Sequence, residues 1–276
     1  MKQIYFLLSK FSYYLRVKIN RFLSRDINDI KYKKIIKDLD VDGISFVENF
    51  LSRKKIESIK NEVEPILKKL IKFPLKQVRF YRNVNEGLFR IYKITKNCPS
   101  TRIFFNSPLI RTISKFYISQ NTSFYQDMAE IRQAITVPPS SLKGSSDNFH
   151  FDDWRIRLKF FLLLEDITPD RSPLQYVKGS HKINKYAMEL DLFCNGRSGK
   201  YGFYKNEEVK KLLKKNKLKI TMCTGKKGTL IIVNTGGLHK GTPLIDKKHP
   251  RIQLGLYSDL RKIKWNPKNI NVERSA

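Results

Sequence analysis

Three side chains able to grip one metal ion stand out in this chain of 276 residues: His150 and Asp152 in NFHFDDW, and His239 in NTGGLHK. On a β-strand, residues two apart project to the same face, so His150 and Asp152 can reach a common ion. A second imidazole from His239 would complete a 2-His-1-carboxylate facial triad, which holds iron(II) on one side and leaves the opposite positions open to O2 and a cosubstrate. An HxD tripeptide alone is commonplace, and its setting says more. NFHFD follows a Gly/Ser/Asp-rich stretch and precedes the apolar run IRLKFFLLLEDI, while His239 comes just after GTLIIVN and its TGG turn. Ligands at strand ends on a rigid barrel are what a preorganised metal site needs.

Other side chains fall around this set. Arg251 opens the strand RIQLGLY, where a guanidinium could hold a carboxylate through two parallel hydrogen bonds. Thr242 could add a hydroxyl donor to the same carboxylate; a surface ion pair is the plainer alternative for Arg251. Lys159 alternates with Phe161 on one face of the strand after the HxD: facing inward it would meet a cosubstrate or acidic substrate, facing outward only water. His181 in VKGSHK is expected to stay off the metal, His249 to be exposed beside Pro250, and Asp153 to point away from Asp152. Gly236 and Gly237 are expected to allow the tight turn that aims His239.

The elements that must position these groups are short strands. DMAEIRQAITV, IRLKFFLLLEDI, LQYVKG, GTLIIVN and RIQLGLYS are rich in β-branched and aromatic residues and are separated by Pro, Gly, Ser and Asp turns. The pattern predicts a mainly β domain with flanking helices, a barrel or jelly roll. A helical insertion, NEEVKKLLKKNKLK, should turn Val209, Leu212 and Leu213 inward and its lysines to solvent. Ser52 is placed to cap a helix carrying Ile56, Ile59, Val63, Ile66 and Leu70, with Pro65 bending it. FNSPLIRTISKFY reads as one helix, and residues 76–126 otherwise give no clear pattern and no chemistry.

Residues 1–25 hold Lys2, Lys10, Arg16, Lys18, Arg21 and Arg25 with no acid, while Ile4, Leu7, Leu8, Phe11, Leu15, Ile19, Phe22 and Leu23 recur at helical spacing. This predicts a basic amphipathic helix, either lying on an anionic membrane surface or packed on its own domain. Residues 26–276 are expected to form a single domain with its β core at about 127–258. Lys and Arg number 55 against 25 Asp and Glu, a formal net charge of +30. Such an excess favours anionic partners: phosphate-bearing substrates, acidic membranes or nucleic acid. A coding bias toward Lys and Asn would produce part of it without any partner. The three cysteines, Cys98, Cys194 and Cys223, include no CxxC pair, which argues against a disulfide framework and a thiolate zinc site and fits a reduced cytoplasmic compartment. No apolar run reaches the roughly 18 to 20 residues that cross a bilayer, and IYFLL lacks the features of a signal peptide.

HFDDWRIRLKFFLLLEDI, SPLQYVKGSH, GTLIIVNTGGLHKGTP and HPRIQLGLY together resemble the phytanoyl-CoA dioxygenase family of iron(II)/2-oxoglutarate-dependent oxygenases, over about residues 127–258. DVDGISFVENFLS resembles that family's opening element. The resemblance implies a double-stranded β-helix (jelly roll, cupin-like), with His150, Asp152 and His239 as iron ligands and Arg251 as the anchor for the distal carboxylate of 2-oxoglutarate. It also implies that decarboxylation of 2-oxoglutarate drives hydroxylation of an aliphatic carbon. Asp152 stands where halogenating relatives carry a small residue, which argues against a halogenase. The basic helix and overall charge favour an anionic small-molecule or lipid-linked substrate: a glycolipid, a phosphate or a CoA conjugate. Two alternatives stay open, a nucleic-acid-directed demethylase, for which no base-reading feature is evident, and a non-catalytic metal-binding barrel.

Overall fold

The computed structural model describes residues 2–23, 29–75, 79–83, 87–133, 148–152, 155–182, 204, 206–260 and 272–274. Asp153 and Cys194 lie outside these residues, so the expectations placed on them do too. Helices are α1 (Lys2–Leu23), α2 (Ile30–Val41), α3 (Arg53–Lys72), α4 (Arg102–Phe105), α5 (Pro108–Tyr117) and α6 (Asn206–Asn216). Strands are β1 (Ile44–Val47), β2 (Arg79–Asn83), β3 (Leu88–Tyr92), β4 (Ser123–Arg132), β5 (Leu158–Leu163), β6 (Gln175–Val177), β7 (Ile220–Met222), β8 (Leu230–Asn234), β9 (His239–Lys240), β10 (Arg251–Asp259) and β11 (Val272–Arg274). Eight form a sheet in the order β1-β8-β5-β10-β4-β3-β2-β11, and three form a smaller one, β7-β6-β9. Pairing is antiparallel except for β11 on β2.

Alternation along the central strands gives the large sheet two different faces. Phe89 and Ile91 of β3, Ala129 and Ile131 of β4, Leu158, Phe160 and Leu162 of β5, Leu230 and Ile232 of β8, and Ile252, Leu254 and Leu256 of β10 share one core with the buried sides of α2, α3 and α5. The residues between them face the small sheet. There Ile44, Leu163, Ile231 and Val233 pack with Ile167, Tyr176 and Cys223, and Phe161 is partly buried against them. Lys159 shares this inner side with Phe161. A shift of register by one residue would exchange cations for Leu and Ile on the helix-packed side, so burial fixes the pairing.

The structure departs from expectation where local signals compete. Residues 76–126, to which no chemistry could be assigned from sequence, contain the β2–β3 hairpin and place Arg90 beside the cavity described below. FNSPLIRTISKFY is not one helix: α4 ends at Phe105, with the N–H of the capping Asn106 bonded to the Arg102 carbonyl, and Pro108 starts α5 in its first turn, the position where a missing N–H costs nothing. Ser52 occupies the cap position of α3 without a side-chain cap bond, and α3 continues across Pro65 with Leu67 fully buried and Ile66 only partly so. In α6, Val209 is buried and Leu212 and Leu213 are partly so, against Phe149, Phe151, Val177 and Leu238. Among the described residues, no helix is long and apolar enough to cross a membrane.

Candidate active site

Backbone pairing brings the three candidate ligands together. His150 and His239 exchange both backbone hydrogen bonds, each 2.9 Å, and the Asp152 N–H donates to the Thr235 carbonyl at 3.0 Å. His150 is thus an isolated bridge partner of β9, and Asp152 sits in a bend beyond it rather than on a continuous strand. The two side chains converge all the same: Asp152 Oδ1 is 3.9 Å from His150 Nε2 and 3.7 Å from His239 Nε2. Their ligand atoms lie within 4.8 Å of one another, and this is the one such cluster of three among the described residues.

Hydrogen bonding sets which imidazole nitrogen faces the cluster. His150 Nδ1 lies 3.1 Å from the Asn148 carbonyl and His239 Nδ1 lies 2.9 Å from the Gly237 carbonyl. A carbonyl accepts, so each Nδ1 carries the proton and each Nε2 keeps its lone pair, the arrangement a metal ligand requires. Burial holds both rings neutral: it pushes the His239 pKa down to about 3, with His150 adding to the effect, and also lowers that of His150. Burial alone would raise the Asp152 carboxyl, but Lys159, His239 and Arg157 outweigh it and hold the group well below the usual range. His239 Nε2 is buried without a hydrogen-bond partner, which is costly unless something else occupies that lone pair. Two neutral imidazoles, a carboxylate and this orphaned nitrogen fit a divalent first-row metal.

The turn that aims His239 is built from the SPLQYVKGSH segment. Tyr176 donates its hydroxyl to the Asn234 carbonyl at 2.9 Å, and Ser180 Oγ accepts from the Leu238 N–H at 2.7 Å. A Cβ on Gly237 would stand 2.1 Å from the Tyr176 hydroxyl oxygen. Gly237 does not have positive φ, so glycine is required for this close approach and not for the turn conformation expected from sequence. His181 packs near Gly43 beside Tyr176, away from the ligand cluster, and exposed His249 bonds to Asp246 at 2.7 Å.

Beside the ligands lies a cavity of about 120 Å³ between the sheets. Its polar wall comes from alternate positions of β3, β4, β5 and β10: Arg90, Glu130, Arg132, Lys159 and Arg251. Glu130 is buried at the centre of this wall. It accepts from Arg90 Nε at 2.5 Å, from Gln253 at 2.9 Å and from Arg251 Nη2. Burial would raise its pKa, but Arg90 and Arg251 hold it at about 2. Arg251 also donates to the Ser172 carbonyl, while its Nε is buried without an acceptor. Arg90, Arg132, Lys159 and Arg251 thus stand beside the cavity with the carboxylates of Glu130 and Asp152 among them. Arg90, Glu130 and Arg132 were not singled out from sequence; their signal was a charge between apolar neighbours in LFRIY and at alternate positions of AEIR.

Two expected cosubstrate contacts look different in the structure. Thr242 donates its hydroxyl to the Pro173 carbonyl at 2.7 Å, so that proton holds a loop in place and is not offered to the cavity. Lys159 does face inward, but its ammonium stands 2.8 Å from Asp152 Oδ2 and 4.6 Å from the centre of the Tyr257 ring.

A family model described as phytanoyl-CoA dioxygenase (PhyH) matches residues 39–244. No curated protein matches the chain. Among solved structures, the epimerase SnoN in complex with Fe3+, alpha-ketoglutarate and nogalamycin RO superposes with a TM-score of 0.59 at 11% identity, covering 83% of both chains. The alpha-ketoglutarate-dependent carbocyclase SnoK gives 0.57 at 13% identity over 86% of both chains. EctD from S. alaskensis with bound Fe gives 0.59 at 18% identity, over 82% of this chain and 75% of that one. The architecture they share with this chain is the double-stranded β-helix.

Proposed function

The chain belongs to the phytanoyl-CoA dioxygenase family, whose members are iron(II)/2-oxoglutarate-dependent oxygenases, and on that premise we propose that it hydroxylates an aliphatic carbon of an anionic small-molecule or lipid-linked substrate. The reading assigns His150, Asp152 and His239 as iron ligands, Arg251 as the anchor of 2-oxoglutarate and Lys159 as a second cosubstrate contact. The observation that carries it is the buried His239 Nε2 without a partner, converging with Asp152 beside a cavity walled by cations. Iron with 2-oxoglutarate and O2 supplies an oxidant able to remove hydrogen from an unactivated carbon.

The protein's own groups prepare that chemistry. Asn148 and Gly237 fix the imidazole tautomers, so no proton must leave the rings before they bind metal. Arg251, oriented by Glu130 and lining the cavity, would be the guanidinium that meets a carboxylate there. Were Asp152 to hold a metal ion, the Lys159 ammonium beside it would be a donor for the cosubstrate or for an acidic substrate. Phe161, Leu163 and Ile231 on the cavity wall keep water from the reacting centre. The excess of basic residues supports an anionic substrate, a glycolipid, phosphate ester or CoA conjugate.

Anaerobic titration with iron(II) and 2-oxoglutarate tests the assignment. The weak visible charge-transfer band of the chelate should appear in the wild type and be weakened in Asp152→Ala and Arg251→Ala. Absence of the band under conditions where iron binds would remove the cosubstrate assignment. With a turned-over substrate, a product heavier by one oxygen atom supports hydroxylation, and an isomer of unchanged mass would place the chain with epimerases instead.

A further inference from the structure

We propose that the outward face of α1 is a docking surface for an anionic lipid bilayer, a property independent of the chemistry assigned to the cavity. Ile4, Leu8, Phe11, Leu15, Ile19 and Phe22 recur every third or fourth residue and therefore form one stripe along the helix. All six are exposed, Phe11 at 68% and Leu8 at 64%. They make up six of the thirteen large apolar side chains exposed on the described surface, so this is a concentrated patch and not the scattered exposure normal for a protein surface.

The helix is held with that stripe facing out. On its opposite side Tyr13 and Val17 are buried in the main core. The Tyr13 hydroxyl accepts from the Ile156 N–H at 2.9 Å. Asn20 donates to the Lys115 and Phe116 carbonyls at 2.9 and 3.2 Å, and Arg21 pairs with Asp40 at 2.8 Å while stacking 4.1 Å from the Tyr117 ring centre. Rotating the stripe inward would break all of these contacts. The side with the larger apolar residues therefore stays in the solvent although a smaller one is docked.

Charge selects the occupant. Exposed Arg16 and Lys18 fall on opposite flanks of the stripe at helical spacing, and residues 1–25 contain no acid. A helix of this kind lies in the plane of a membrane, its apolar side chains among the acyl chains and its cations at lipid phosphates. At 22 residues and with its cations distributed along its length, α1 does not have the composition of a spanning segment. A second copy of the chain would bring like charges against one another across the stripe, with +30 on each molecule. An anionic bilayer satisfies both the apolar stripe and its flanks.

The test is cosedimentation of the full chain with vesicles of phosphatidylcholine alone or mixed with phosphatidylglycerol. The wild type should pellet with the mixed vesicles and much less with phosphatidylcholine. A stripe variant, Phe11→Ser with Leu15→Gln, and a charge variant, Arg16→Glu with Lys18→Glu, should each bind on the order of tenfold more weakly, with unchanged thermal melting and an unchanged chelate band. Phe11→Trp retains the apolar stripe, and its emission should be quenched by brominated acyl chains. Wild-type protein left in the supernatant, a stripe variant that pellets like wild type, or an unquenched Trp at position 11 would overturn the proposal. So would a wild-type dimer in sedimentation velocity that the stripe variant abolishes, because the second copy would then be the occupant.

Discussion

Replacing Glu130 by Gln should separate the role of a buried charge from that of its hydrogen bonds. Gln keeps the shape and one carbonyl acceptor but leaves Arg90 and Arg251 without their anion. The Glu130 pKa is lowered from 4.5 to about 2 in the folded protein. At about 1.4 kcal/mol per pKa unit, the ionised form contributes on the order of 3 kcal/mol near neutral pH. The sign follows from the direction of the shift: a depressed carboxyl stabilises the fold above its unfolded pKa and loses that contribution as pH falls through 4.5 toward 2. Urea denaturation near pH 7 should therefore show the variant less stable by about 3 kcal/mol, which lowers the melting temperature by roughly 6 to 12 °C in a chain of this size. Near pH 3.5 the gap between the proteins should narrow to about 2 kcal/mol. With Arg251 as the proposed anchor, saturating 2-oxoglutarate should restore part of the lost melting temperature, because a carboxylate would then supply an anion to that guanidinium. A variant destabilised by less than about 1 kcal/mol at neutral pH, or a gap that does not narrow in acid, would show that the Arg90–Glu130–Arg251 cluster is not held together by charge.

Iron binding measured by metal analysis after gel filtration should fall by more than about tenfold in His239→Ala and in Asp152→Ala but not in His181→Ala, whose ring lies outside the ligand cluster. Because the His239 ring is held neutral down to about pH 3 and His150 is shifted the same way, iron affinity between about pH 7.5 and pH 5.5 should fall by less than about tenfold; two imidazoles at the ordinary value would lose about a hundredfold. Gly237→Ala forces a Cβ to within 2.1 Å of the Tyr176 hydroxyl, so it should cost about 2 kcal/mol in urea titrations and weaken iron binding as the His239 turn moves. Arg251→Lys, which keeps the charge but loses the planar fork, should weaken 2-oxoglutarate binding in the chelate titration by about tenfold or more.

The candidate ligand cluster was legible because its chemistry resides in residue type, and a bridge or a strand brings positions 150 and 152 together equally well. Strands with one apolar face were legible for a similar reason: alternation in LKFFLL and RIQLGL survives any detail of packing. The cationic cavity wall was not. Arg90, Glu130 and Arg132 alternate with apolar residues as any solvent-facing charges would, and only the small sheet opposite them makes their face an interior. Thr242 has the right hydroxyl near the right strand, but the Pro173 carbonyl claims its proton, a contact between two loops that no local pattern records. The period of α1 was plain in the sequence. Which side would dock was decided instead by Tyr13, Asn20 and Arg21 finding polar partners on the domain, and those specific contacts prevailed over the larger apolar stripe.

The reciprocal backbone bonds between His150 and His239 couple two ligands that are distant in sequence into a single rung of ladder. Each candidate ligand is bonded through its main chain to the other, and Tyr176 and Ser180 from the intervening stretch hold the turn that carries His239. Changes in that stretch that spare Asp152, β6, β8 and the Tyr176 and Ser180 contacts would leave the rung in place. On the proposed assignment, the rung would keep both candidate ligands in register while the other walls of the cavity change.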